Sequence, residues 1–291
     1  MVAPKFALSE GNVRQTIQSK LNDIDAIFST YSENSKLSQF NDSRSTQPMR
    51  IDSLLFDMML KSQSYFKTLN GAWDPSILPL SQKLEFQQAR HSTSMTDVAS
   101  MVGFHKFQIV SGNLVQKLTP ELRLDFSSFI KGYAVDQIIE YLEQQPIRGA
   151  YVDIGGEIRT TGVKSKNSPW SIGIQSPTNN HVINVLELSN MAIATSGNYL
   201  NYQMIDGNRV GHILDPRSLA PISHQMLSVS IISPKCMDAD AFATGVFVMG
   251  PVEAARWFSM NQDVMGMLVY LENNKPITRY FNGFDSYLKK Y

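Results

Sequence analysis

Apolar residues recur three and four positions apart through Val13, Ile17, Leu21, Ile24 and Phe28. That spacing is the stripe of a helix with one face on a core. The period fails between Ser29 and Asn41, where serine and asparagine dominate, and a loop is expected there. A second helix is expected over about 51–69, closed by Asn70-Gly71, the residue types that suit a helix C-terminus. Residues 73–80 read as a turn-rich loop and residues 85–96 as a polar, mobile stretch.

Beyond Phe104 the texture changes. Two short apolar runs flank Ser111-Gly112-Asn113, a hairpin signal. Ile130, Ala134, Ile138 and Leu142 share one face of a helix expected over 131–142. Strands are expected at 150–154, 171–175, 183–188, 203–205 and 227–232, with a turn at Asp206-Gly207. Helices at 240–249 and 251–260 precede a last strand at 265–271. Helices followed by mainly antiparallel strands indicate an α+β fold, expected as a single compact unit spanning 1–291.

With 291 residues, 43% of them hydrophobic, the chain has ample material for a core. Lysine plus arginine balance aspartate plus glutamate at 26 each, which argues against a nucleic-acid partner. No apolar run reaches membrane-spanning length, and Met1-Val2-Ala3-Pro4-Lys5 carries no apolar signal core. Cys236 is the single cysteine, so no disulfide can form within the chain.

Candidate chemistry sits in polar islands. Asp240 and Thr244 are four apart, so on a helix they share a face and offer hard oxygen donors of the kind Mg²⁺ accepts. The same spacing also fits a dipole-stabilising aspartate beside a buried threonine. Ser127-Ser128 leads into a helix whose first turn holds Lys131, an arrangement that suits an anion or a plain serine cap. Gly155-Gly156-Glu157 allows close backbone approach to a ligand but lacks the six-residue dinucleotide fingerprint. Thr195-Ser196-Gly197 and Gly211-His212 lie at strand ends.

The order of these islands is more specific than any one of them. With Phe28 to Asn41, Gly71-Ala72-Trp73-Asp74-Pro75, Leu124 to Asp136, Val152 to Ile158, Trp170 to Pro177, Ala194 to Tyr199, His212 to Arg217 and Ala239 to Thr244, the chain resembles the ApbE family of FAD:protein FMN transferases. The resemblance implies a T-fold-like architecture with a flavin cleft. It implies Mg²⁺ held by the Asp240 and Thr244 side chains and the Ser128 carbonyl, with Lys131 and His212 joining Asp240 in catalysis. Asn41, Asp74, Gly155, Gly156, Glu157, Ser196, Gly197 and His212 then become FAD-binding candidates; Asn41 falls where residue choice sets the balance between transfer and FAD hydrolysis, and its carboxamide is expected to hold a water and allow slow hydrolysis. The reaction implied moves FMN from FAD to a threonine or serine hydroxyl of a flavoprotein subunit in a membrane redox complex. The place implied is the periplasm or the outer face of the inner membrane, with the cytoplasm as the alternative. An FAD pyrophosphatase and a non-catalytic flavin-binding protein are the competing readings. Three departures stand out: no opening strand is evident before Val13, Leu219 replaces a glycine of the family, and the tryptophan usual after Pro79-Leu80 is replaced within Ser81-Gln82-Lys83-Leu84-Glu85-Phe86.

Overall fold

Asp52 shows how closely local chemistry sets the elements here. Its carboxylate accepts the N–H groups of Leu54 and Leu55, capping the helix Ser53–Thr68. Asn70 and Gly71, both at positive φ, then end it. The computed structural model describes residues 2–4, 10–86, 99–165, 167–179, 181–197, 202–205, 208–211 and 213–290, with the backbone alone for 2–4, 83–86, 202–205 and 208–211. Its described α-helices are α1 (Glu10–Phe28), α2 (Lys36–Asp42), α3 (Ser53–Thr68), α4 (Leu78–Phe86), α5 (Ser127–Glu143) and α6 (Cys236–Met260).

Contacts divide the chain into two compact units, each assembled from separated stretches of sequence. The first comprises Met1–Lys20, Ser128–Gly211 and Ser223–Tyr291. Its centre is a seven-stranded antiparallel sheet in the order Val2–Pro4, Ile147–Ile154, Glu157–Gly162, Ala192–Gly197, Met226–Ser233, Met265–Glu272 and Lys275–Phe281. Alternate residues of a strand face opposite sides. Ile193 accordingly joins Ile172, Ile174 and Leu186 of the hairpin Trp170–Gln175/Val182–Leu188. Its neighbour Ala192 instead packs with Val135 of α5 and Cys236 of α6.

The second unit comprises Leu21–Ser127 and His212–Ile222. It holds the C-terminal part of α1 from Leu21 onward, helices α2 to α4, and a three-stranded sheet of Met49–Arg50, Leu114–Lys117 and Phe107–Ser111. Phe28 meets Phe126 edge to face at 6.0 Å.

Several expectations change. Residues 29–41 are not all loop, because Ser35 accepts the Ser38 N–H and starts α2. The stretch 73–80 coils into a 3₁₀ turn and then α4. Strands Glu157–Gly162, Ala192–Gly197 and Lys275–Phe281 were not expected from alternation, and the last of them follows the supposed final strand. A short strand does precede Val13: Val2–Pro4 pairs with Ile147–Ile154, placing Val2 opposite Ala150. The two expected helices at the C-terminal end join as α6, broken at Gly250, whose φ of 72° precedes Pro251. The Asp206-Gly207 turn and most of 85–96 lie outside the described residues.

Candidate active site

Lys131 leaves the second turn of α5 and meets Glu157, the first residue of the strand Glu157–Gly162, Nζ to Oε1 at 2.5 Å. Glu157 follows the Gly155-Gly156 turn, whose φ values of 68° and 103° are ones that side-chain-bearing residues rarely adopt. Gly156 N–H donates to Asp153, which pins that turn. The turn also borders a cleft of about 570 Å³ lined by Tyr151, Asp153, Trp170 and Thr195.

Glu157 is only 4% exposed, and its second oxygen, Oε2, is buried with no hydrogen-bond partner. Burial raises its pKa, while Lys131 opposes the rise. Asp240, in the second turn of α6, is also 4% exposed, and its Oδ2 accepts the Gly132 N–H at 3.1 Å. Burial drives its pKa well above the usual carboxylate range, and the Glu157 charge pushes it further the same way. One turn along α6, the Thr244 hydroxyl lies 3.2 Å from that of Ser196, at the end of Ala192–Gly197 beside Gly197.

Helix geometry puts the Ser128 carbonyl near this group. In an α-helix the N–H of Gly132 points at the carbonyl four residues earlier, that of Ser128. The same N–H reaches Asp240, so the carbonyl and the carboxylate converge on one donor. The donors are all oxygens, the surplus charge is negative, and one buried carboxylate oxygen is unsatisfied. That combination fits a hard divalent cation. Among the described residues no cluster of three or more His, Cys, Asp or Glu could hold a metal, so a Mg²⁺ shell here would rely on hydroxyl, carbonyl and ligand oxygens.

Gly132 itself was missed as a site residue. An added Cβ would lie 2.5 Å from the Cys236 carbonyl oxygen, so only glycine lets α5 come this close to α6. The signal was present as the Lys131-Gly132 pair opening a helix, where glycine is otherwise unfavourable.

Asn41 and Asp74 belong to the second unit, and both are committed to the backbone. Asn41 Nδ2 donates to the Leu124 carbonyl at 2.8 Å, and its Oδ1 accepts the Leu124 N–H at 2.7 Å. The carboxamide is 5% exposed. It clamps the segment before α5 through these two bonds and does not stand free to hold a water. Replacing Asn41 with leucine should strand two buried main-chain groups at Leu124 and destabilise the chain by about 3 kcal/mol. An unchanged urea midpoint for Asn41→Leu would remove the clamp from this account.

Asp74 likewise spends both oxygens, on the Ser76 and Phe104 N–H groups. Burial raises its pKa against the pull of those bonds. It borders a second cleft, about 460 Å³, with Phe66, Gly71, His105 and Arg217. Nearby, Leu219, where the sequence resemblance led to the expectation of a glycine, takes φ 57°. A left-handed backbone costs a side-chain-bearing residue about 1–2 kcal/mol. Leu219 offsets this by packing on Leu80, Val102 and Leu214. His212 lies outside the described residues.

Beneath Asn41 sits Lys117, wholly buried, its ammonium donating to the carbonyls of Asn41 and Ser43 and lying 4.8 Å from the Phe40 ring. Burial first, then the Arg123 charge, lower its pKa from 10.5 to about 8, with Asp42 pulling the other way. Below about pH 8 the lysine is charged in both states and the cost of burying that charge is fully present. Between about 8 and 10.5 the unfolded chain binds a proton that the folded chain does not, so stability rises with pH. Urea unfolding from pH 7 to 10 should show wild type gaining stability relative to Lys117→Met. Parallel curves for the two proteins would contradict the lowered pKa.

Comparison with known proteins gives a consistent picture. The model of the ApbE family matches residues 2–268. A curated relative from Escherichia coli (strain K12), named FAD:protein FMN transferase, is 32% identical over 259 residues, covering 85% of this chain and 74% of its own. One of the same name from Vibrio cholerae (strain O395) is 34% identical over 271 residues, covering 90% and 81%. Among solved structures, the apo flavinyl transferase ApbE of Pseudomonas stutzeri superposes with a TM-score of 0.87 at 27% identity, covering 98% of this chain and 90% of that one. The flavin transferase ApbE of Vibrio cholerae gives a TM-score of 0.87 at 30% identity, covering 98% and 93%.

Proposed function

The chain belongs to the ApbE family, and from that membership we infer that it transfers the FMN half of FAD to a threonine or serine hydroxyl of a target flavoprotein, with Mg²⁺ and release of AMP. The observation that carries the reading is the all-oxygen cluster at the start of α5 and α6, with its unsatisfied Glu157 oxygen and one adjacent lysine.

In this reading Asp240, Thr244 and the Ser128 carbonyl hold the ion. When bound there, Mg²⁺ supplies neutralisation of charge on the pyrophosphate oxygens. Lys131 keeps its ammonium at the site through Glu157 and turns its remaining N–H groups towards an anionic phosphate. The Gly155-Gly156 turn lets substrate pass close to the backbone. The acceptor hydroxyl oxygen forms a bond to the FMN phosphorus, the phosphorus–oxygen bond to AMP breaks, and the hydroxyl proton leaves to a base, for which His212 is the candidate.

The reading treats the whole chain as one functional domain. It extends to an acceptor that is a flavoprotein subunit of a membrane redox complex, and to action in the periplasm or at the outer face of the inner membrane. Among the described residues no helix is long and apolar enough to cross a membrane.

Incubation with FAD and Mg²⁺, with and without a candidate acceptor flavoprotein, tests it. AMP released only with acceptor supports transfer. AMP released equally without acceptor would make the protein an FAD pyrophosphatase. FAD bound with no AMP under either condition would make it a flavin-binding protein.

A further inference from the structure

Asp136 and Arg159 form a buried ion pair that plays no part in the chemistry above. They are 3% and 9% exposed, and Arg159 Nη1 donates to Asp136 Oδ1 at 2.7 Å. The same Oδ1 accepts the Cys236 N–H and Oδ2 accepts the Met237 N–H, each at 3.0 Å. Cys236 and Met237 are the first two residues of α6, whose leading N–H groups have no helical acceptor. The residue in the capping position, Lys235, makes no side-chain cap bond; its ammonium turns to Glu140. A carboxylate from a different helix therefore caps α6.

One turn before Asp136 on α5 lies Gly132, packed against the Cys236 carbonyl and donating to Asp240. One turn after Cys236 on α6 lies Asp240. The start of α6 is thus gripped at two points of α5, and Asp240 sits in the turn that the grip fixes. We propose that Asp136, anchored by Arg159, is a positioning residue of the metal site: it sets the height and rotation of the first turn of α6, and with them the place of the Asp240 carboxylate against the Gly132 N–H. This rests on the reading of Asp240 as a Mg²⁺ ligand.

A cap that only stabilised α6 would change the unfolding midpoint and leave the metal affinity of the folded protein alone. A positioning residue changes that affinity, and outer partners of metal ligands typically alter it by about 10–100-fold. The test is titration of Mn²⁺, as a paramagnetic stand-in displaced by Mg²⁺, into the flavin-free full chain, with the free ion read by its EPR signal. Circular dichroism confirms that each variant is folded at the assay temperature. Folded Asp136→Asn should raise the Mn²⁺ Kd by about tenfold or more, and Arg159→Gln severalfold. Most of the FMN-transfer kcat should return when Mg²⁺ is raised to saturation. If both variants are folded and bind Mn²⁺ with the wild-type Kd, Asp136 is no positioning residue. If Asp136→Asn does not fold, Arg159→Gln decides alone by the same criterion. Wild-type protein that binds no Mn²⁺ displaceable by Mg²⁺, either flavin-free or with FAD present, would instead overturn the metal reading beneath the proposal.

Discussion

Asp240→Ala is expected to lower FMN transfer by about a thousandfold or more, the scale on which a fixed electrostatic group supports a charged transition state. It removes the one carboxylate assigned to the ion, leaving a hydroxyl and a carbonyl for a cation that sheds water reluctantly. Folding should survive. Alanine favours a helix, and the lost group is a carboxylate whose burial already works against its charge. Mn²⁺ titration, the transfer rate and circular dichroism on the one variant separate these effects. A folded Asp240→Ala protein that keeps wild-type metal affinity and rate would remove Asp240 from the site.

The second large effect is expected at Gly132, from a single methyl group. The three nearest atoms to an added Cβ are the Cys236 oxygen at 2.5 Å, the Cys236 carbonyl carbon at 2.7 Å and the Met237 Cα at 2.8 Å. All are backbone, so no side chain can swing away, and α5 and α6 must part. Overpacking of this kind costs about 1–3 kcal/mol, against a helix-propensity gain of about 1 kcal/mol. The larger consequence is functional, because parting the helices draws the Gly132 N–H off Asp240. Gly132→Ala should therefore lose metal affinity even where its unfolding midpoint changes little. Gly11→Ala is the control, since nothing lies within 4 Å of its added Cβ and it too is helical. It should gain about 1 kcal/mol with metal binding untouched. Native Mn²⁺ affinity in Gly132→Ala would show that the close approach of the helices does not matter to the site.

Much of this could be read from the chain because the decisive patterns are local. The Asp240–Thr244 spacing and the serine-led start of α5 predict which residues share a helix face, and both helices form. The stripe from Val13 to Phe28 forms α1. What the pattern missed is set by partners distant in sequence. Glu157–Gly162 shows no clean alternation because it is buried on both sides of the sheet, Thr160 and Thr161 included. The loop reading of 29–41 failed because Ser35, a residue common in loops, is there a helix cap. Asn41 and Asp74 stood out as polar residues in matched stretches, yet each hydrogen-bonds main chain far away, Leu124 and Phe104. Sequence shows that such a residue is polar and placed; it does not show whether its hydrogen bonds are already taken. Asp136 illustrates the converse: mid-helix and inconspicuous, it caps a helix that begins 100 residues later.

The measurement that bears most directly on the central claim is the mass of an acceptor flavoprotein after incubation with this protein and FAD, with and without Mg²⁺. The account predicts an acceptor heavier by one phosphoester-linked FMN on a threonine or serine, AMP formed in equal amount, and neither product when Mg²⁺ is chelated. An acceptor of unchanged mass while FAD is still cleaved to AMP, or flavin attached equally well without Mg²⁺, would contradict it.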